Sequence, residues 1–369
     1  MDNSFIPGLE LSRRFYHEAV RPLLHEHFGD LPHAAARIGG GSEVLGFDTA
    51  RSADHEWGPR LQLLLRRHDA DQHAHDIGAV LSNELPKTFY GYPTNFASTG
   101  NDHIRHMEVT DGPVFHRVDV TSLDVWLTQH LGFDPRDGIA TLDWLSTPTQ
   151  TLAEITAGAV FHDRTGELTS ARSHLAWYPE QIWRYVLACQ WERISQEEAF
   201  VGRCGEVGDE LGSAVIAARL VRDLMRLSLL MHRRYPPYSK WLGSAFAQLP
   251  FAATVTPALT GALAATTWRD REAHLATAYS ATAKLHNQLG LTEPLDPGTR
   301  PYHDRPFQVL HAGRFSQALL ASITDPGLCA VPLTGAVDQF ADNTDLLEDR
   351  AATRTVTAVL TAARSTPDA

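Results

Sequence analysis

Gly39-Gly40-Gly41-Ser42-Glu43-Val44-Leu45-Gly46 is followed, a short loop later, by Ser52-Ala53-Asp54-His55-Glu56. The first element is a glycine-rich turn ending in Gly-Ser. Such a turn can set backbone N–H groups and a hydroxyl against a phosphate. The second element places carboxylates at i and i+2. On a strand these share one face, because strand side chains alternate. A phosphate cradle beside a carboxylate pair is a pattern by which proteins hold a nucleoside triphosphate with Mg²⁺.

The flanking sequence reads as alternating helix and strand. Leu11 to Phe28 has the spacing of an amphipathic helix. Ala34 to Ile38 reads as a short buried strand running into the glycines, and Leu61 to Leu65 as another. A helix is expected from His73 to Leu85, after the polar run His68 to Gln72. Tyr90 to Asp102 is rich in turn residues. Val114 to Val120 alternates and carries β-branched residues, which predicts a strand. Helix follows from Leu123 to His130, and Ala159 to Leu168 reads as an edge strand and turn.

After Pro179 the periodicity changes. Glu180 to Ala199, Glu210 to Arg234, Trp241 to Leu249, Pro257 to Thr266 and Arg269 to Leu289 all read as helices. The expected class is α+β: a mixed sheet with flanking helices over residues 1–175, then an all-α bundle over 176–369. At 369 residues two domains are expected in any case.

Composition narrows the function classes. No apolar run approaches the length of a membrane span, and Met1-Asp2-Asn3-Ser4 lacks the features of a signal peptide. Cys189, Cys204 and Cys329 are scattered and odd in number, which fits reduced thiols in a cytoplasmic protein. A net charge of −12 argues against a broad nucleic-acid footprint and favours small-molecule ligands. Lysine stands only at Lys87, Lys240 and Lys284, arginine supplying the remaining basic residues.

Gly41-Ser42-x-x-x-Gly46 followed by Ser52-x-Asp54-x-Glu56 resembles the signature of the polymerase-β-like nucleotidyltransferases. An α/β half before a helical half is similar to the antibiotic nucleotidyltransferases. The chain also resembles a bacterial family known only as a domain of unknown function and placed among nucleotidyltransferase-like proteins. The phrases that carry this are Gly46-Phe47-Asp48, Asp54-His55-Glu56-Trp57-Gly58-Pro59-Arg60, Gln196-Glu197-Glu198-x-Phe200, Gly208-Asp209-Glu210-Leu211-Gly212-Ser213 and Pro237-Tyr238-Ser239-Lys240-Trp241-Leu242-Gly243.

The resemblance implies transfer of an NMP from an NTP to a hydroxyl of a small acceptor, with release of pyrophosphate. Asp54, Glu56 and Asp119 would hold two Mg²⁺ ions, and Asp119 would draw the proton from the hydroxyl. Glu108, Asp111 and Asp124 compete for the place of Asp119. Gly41 and Ser42 would hold the β- and γ-phosphates, and Lys240 would reach the triphosphate. Arg51 and Arg60 would touch phosphate or pair with the carboxylates. The sequence departs from the pattern in three places. His55 stands where an apolar residue is usual, the second carboxylate is Glu, and Trp57-Gly58-Pro59 interrupts the strand so that it must bend before Leu61. These departures support an alternative, a catalytically impaired nucleotide-binding or regulatory protein that keeps the fold.

Other clusters carry two readings each. Glu197, Glu198, Arg203, Asp209 and Glu210 either face a cleft or form a satisfied network between helices. Trp177, Tyr178, Trp183, Tyr185 and Trp191 have the helical spacing of core packing. His68, His73 and His75, with Asp69, Asp71 and Asp76, read as a solvated turn rather than a metal site, and so do His103, His106 and His116. A Rossmann site is excluded, since no Gly-x-Gly-x-x-Gly is present.

Overall fold

The computed structural model describes residues 5–98, 100 and 104–362. The chain divides into two compact units, Met1–Ile139 with Thr151–Ala176, and Ala140–Gln150 with Trp177–Ala369. Residues 140–150 therefore go with the later unit, which no single cut near residue 175 captures.

The first unit is built on a four-stranded mixed sheet. Its strands are β1 (His33–Arg37), β2 (Arg60–Leu65), β7 (Arg117–Ser122) and β8 (Ala159–Asp163), ordered β7-β2-β1-β8. Between them lie two short ladders: β3 (Thr88–Phe89) with β4 (Tyr92–Pro93), and β5 (Phe96–Ser98) with β6 (Arg105–Met107). β1 pairs antiparallel with β2 and with β8, and β2 runs parallel to β7, Arg60 opposite Arg117 and Gln62 opposite Asp119.

Alternation gives the sheet two faces of different chemistry. Ala35, Leu61, Leu63, Leu65 and Val118 join one core with Leu11, Phe15, Ile77 and Leu81. The last four come from helices α1 (Gly8–Phe15) and α3 (Arg67–Glu84). Each large apolar side chain so buried contributes roughly 1.5–3 kcal/mol. The opposite positions mix polar and buried apolar residues: Arg60, Gln62 and Leu64 on β2, Ala34 and Ala36 on β1, and Arg117 and Asp119 on β7.

The first expected helix is continuous but not uniform. A π turn over Tyr16–Val20 joins α1 to α2 (Arg21–Phe28), and Pro22 sits in the first turn of α2. α3 begins six residues before the expected start, so the polar run at His68 is helical. The remaining helices of this unit include α4 (Leu123–Leu131).

Asp54 to Glu56, which the sequence places on a strand, do not form one, and the break expected at Trp57-Gly58-Pro59 is present. Ala50–Asp54 is a 3₁₀ turn, closed by the Thr49 N–H donating to Ser52 Oγ at 3.0 Å. Glu56 has φ +44° and Gly58 φ +139°, so the backbone reverses twice before β2 starts at Arg60. The cause is Trp57. It is 2% exposed, stacks on Phe5 and donates its indole N–H to Asp48 at 3.1 Å. A Cβ on Gly58 would lie 2.6 Å from Met107 Sδ, so only glycine lets the chain swing Trp57 inward.

The second unit is mainly helical. α6 (Thr149–Thr156) falls mostly, and α7 (Glu167–His174) wholly, in the first unit; the second unit takes α5 (Thr141–Ser146) and then α8 (Glu180–Glu197), α9 (Phe200–Glu206), α10 (Glu210–Met231), α11 (Ser239–Ala247), α12 (Ala252–Ala264) and α13 (Trp268–Gln288). Asp209 caps α10 by accepting from the Gly212 N–H, and Thr267 caps α13. Trp183, Tyr185 and Trp191 are core residues of α8. The unit is not all-α: β9 (Arg300–Tyr302) and β10 (Arg305–Val309) form a hairpin, with Phe307 buried. Its strands are too short and too rich in Arg and Pro for periodicity to reveal them.

Candidate functional site

Strand directions decide what meets at one end of the sheet. β1 ends at Arg37 and enters the glycine turn. β2 is antiparallel to it and β7 parallel to β2, so Arg60 and Arg117 open their strands at that same end. The residues just before β2, Asp54 and Glu56, lie there too.

Arg37, Glu43 and Arg60 form a buried ion cluster under the turn. Glu43 is 2% exposed. Its Oε1 accepts from Arg37 Nε at 2.8 Å and from Arg60 Nε and Nη2 at 2.9 and 2.7 Å. Arg37 also donates to the carbonyls of Ile38 and Gly40, at 2.6 and 2.5 Å. Burial pushes the Glu43 carboxyl up, but Arg37 and Arg60 outweigh it and hold it below the ordinary range. Burial lowers Arg37 to about 10, so it keeps its charge at neutral pH.

Gly41 makes this packing possible. Its φ is +152°, and a Cβ there would lie 2.4 Å from Arg37 Nη2 and 2.7 Å from Arg60 Nη2. With the turn's carbonyls engaged, its donors are left over. Among the described residues, the N–H groups of Gly40, Gly41 and Ser42 and the Ser42 hydroxyl have no hydrogen-bond partner. Consecutive N–H groups without a protein partner are donors available to an anion.

The carboxylates behave differently from one another. Asp54 ends the 3₁₀ turn with its side chain 62% exposed and 2.9 Å from His55 Nδ1. Glu56 is engaged on both oxygens: Oε1 accepts from the Arg105 N–H at 2.9 Å, and Oε2 pairs with Arg117 and lies 3.5 Å from Arg60. The pair is therefore not two carboxylates on one strand face, because Asp54 ends a 3₁₀ turn and Glu56 has a positive φ, both ahead of the start of β2. Asp119 stands on β7 as expected, exposed. Its surroundings raise its carboxyl by desolvation, offset in part by His130 and Arg117. Among the described residues no group of three His, Cys, Asp or Glu is placed to hold a metal ion.

The remaining expected residues are scattered. Arg51 is exposed on the 3₁₀ turn. Lys240 belongs to the second unit, exposed in the first turn of α11, with its ammonium 5.0 Å from the Trp241 ring centre. Asp124 pairs with Arg67. His103 lies outside the described residues. His116 bonds the Gly78 carbonyl and His68 lies beside Asp69.

The polar cluster of the second unit is a set of satisfied pairs. Glu197 pairs with Arg219 and Glu210 with Arg271, while Glu198 accepts from the N–H groups of Leu310 and Ala312 at 2.7 and 2.9 Å.

Sequence reasoning missed Arg37, Glu43 and Arg117 as site residues. The available signals were a basic residue ending an alanine strand, and Arg117 standing two positions before Asp119. His130 and Glu154, which approach Gly39 and Gly40, gave none.

A family model described as "Domain of unknown function (DUF4037)" matches residues 144–242. That span includes Lys240 and none of the glycine turn, Asp54, Glu56 or Asp119. A comparison with curated proteins returns no match.

Proposed function

We propose that the first unit binds a nucleoside triphosphate at the Gly39–Ser42 turn, in the manner of a nucleotidyltransferase-type protein. The carrying observation is the run of free N–H groups at Gly40, Gly41 and Ser42 beside the Ser42 hydroxyl. Phosphate oxygens satisfy such donors directly. Arg60 and Arg117 stand at the same sheet end, paired with Glu43 and Glu56.

Two Mg²⁺ ions do not fit the donor set in this arrangement. Glu56 is taken up by Arg117, Arg60 and a backbone N–H, and Asp54 lies on an exposed turn against His55. No transfer step is routed through metal here. The reading is thus a nucleotide-binding protein whose carboxylate pair is held away from a metal-binding geometry.

A second reading, NMP transfer to a small-molecule hydroxyl, is favoured by the position of Asp119. It stands exposed on the strand beside β2, two residues from the start of β7. Calorimetry with each of the four common NTPs, with and without Mg²⁺, paired with a pyrophosphate-release assay over hydroxylated acceptors, separates the two. Binding without release supports the first. Release that disappears in Asp54→Ala/Glu56→Ala supports the second, and no NTP binding under any condition overturns both.

A further inference from the structure

The other end of β1 carries a separate concavity of about 600 Å³ within the first unit. Arg21, the first residue of α2, lies at its wall with His17, His33 and His162. Arg21 is exposed and, among the described residues, has no ion pair or hydrogen bond.

The acidic groups nearby are spoken for. Asp30 is the one acidic residue lining the concavity, and Arg164 reaches both its carbonyl, at 2.8 Å, and its carboxylate, at 3.5 Å. Asp163, next to His162, accepts from Gly166, Thr169 and the Thr169 hydroxyl. Glu18, next to His17, takes the Tyr90 hydroxyl at 3.1 Å. The lining of the concavity itself carries two arginines, Arg21 and Arg164, against one carboxylate, Asp30, and Arg21 has no ion-pair partner among the described residues.

Burial disfavours the charged form of His17, His33 and His162. His33 Nδ1 donates to the Leu31 carbonyl at 2.8 Å, so its Nε2 accepts from the Tyr16 hydroxyl at 2.9 Å. His162 stands beside His33 with ring centres 4.7 Å apart. His17 packs against Tyr16 on the other side.

We propose that this concavity binds a phosphate-bearing small molecule, with Arg21 as its charged anchor and the His17 and His162 N–H groups as further donors. A carboxylate commits both oxygens when it takes a guanidinium bidentately, leaving none for the imidazole N–H groups in the same plane. A phosphate monoester presents three oxygens to the same set. The volume exceeds what inorganic phosphate fills and suits the organic part of a metabolite-sized monoester. The inference does not depend on the nucleotide reading.

The test uses the full chain with isotopically labelled histidine, titrated with inorganic phosphate, glycerol 3-phosphate and acetate. The expected result is a shift of the His17 and His162 ring signals with either phosphate, weaker with acetate. Arg21→Met is exposed and unpaired, so it folds, and it should weaken phosphate binding about tenfold or more, with partial recovery in Arg21→Lys. His130, beside the glycine turn, reports any binding there separately. Unmoved His17 and His162 signals at millimolar phosphate, equal response to acetate, or unchanged affinity in Arg21→Met would each overturn the assignment.

Discussion

Replacing Glu43 by glutamine keeps the side-chain volume and removes the charge between Arg37 and Arg60. In the native protein one oxygen, Oε1, accepts three charged hydrogen bonds from two guanidiniums that are 2% and 8% exposed. The amide oxygen of glutamine still accepts, but the two buried cations lose their shared counter-ion, Arg60 keeping only the Glu56 carboxylate at 3.5 Å. Removing one partner of a buried ion cluster costs roughly 3–5 kcal/mol, and the retained acceptor puts Glu43→Gln near the lower end, about 3 kcal/mol.

The assay is native-state hydrogen exchange on peptides from β1 and β2, which reads the opening free energy of the first unit. The pH dependence has a definite sign. The Glu43 carboxyl is held below the ordinary carboxylate range, so its stabilisation is complete above that range. It is lost only as pH falls through the depressed value. The deficit of Glu43→Gln is therefore flat from neutral pH down to the ordinary carboxylate range and closes in stronger acid. The triple change Arg37→Met/Glu43→Leu/Arg60→Met removes all three charges together and recovers most of the loss. A deficit under about 1 kcal/mol at neutral pH would refute the claim that this cluster holds the turn.

Gly41→Ala introduces a Cβ 2.4 Å from Arg37 Nη2, in a backbone region alanine avoids, and should destabilise the first unit by about 1–3 kcal/mol while lowering NTP affinity; calorimetry and thermal unfolding check both. Asp54→Ala, on an exposed turn, should leave stability within about 0.5 kcal/mol of the native value by urea unfolding. Glu198 is raised from 4.5 to about 7, chiefly by burial, so the folded second unit prefers the protonated form. Stability contributed by that proton is full in acid and falls by about 3 kcal/mol as pH rises through about 7, a slope that Glu198→Gln abolishes in urea titrations at pH 5 and 8.

The helices of the second unit were legible because their apolar faces repeat at helical period over long windows, as in α8, α10 and α13. β1, β2 and β7 were legible for the same kind of reason, since Ala34–Ala36, Leu63–Leu65 and Val118–Val120 carry strand character. Between Ala50 and Arg60 the sequence showed the break at Trp57-Gly58-Pro59 but concealed that Asp54 and Glu56 precede the strand altogether. Asp-x-Glu reads as strand by its spacing, yet the burial of Trp57 and the positive φ values of Glu56 and Gly58 override it. Those are tertiary causes, set by Phe5, Asp48 and Met107, which are distant in sequence from Glu56 or ambiguous on their own. Arg117 was hidden likewise, because its partner Glu56 is 61 positions away.

Glu56 is the residue on which the two functional readings give opposite signs. Its carboxylate neutralises Arg117 and lies 3.5 Å from Arg60, so in the phosphate-cradle reading it competes with the triphosphate for both guanidiniums. Glu56→Gln frees that charge. A charged hydrogen bond gained by the nucleotide is worth about 1.5 kcal/mol, which is about tenfold in affinity. NTP binding without Mg²⁺ should therefore tighten by about that factor, and added Mg²⁺ should change little. If Glu56 instead turns to a metal once nucleotide arrives, Glu56→Gln loses a ligand and Mg²⁺-dependent binding weakens. Calorimetry of ATP with native protein and Glu56→Gln, each with and without Mg²⁺, reads the sign directly. Tighter metal-free binding in the variant requires that Arg117 and Arg60 reach the phosphate, whereas weaker binding confined to Mg²⁺ requires that the arginine pairing of Glu56 yields to the ion.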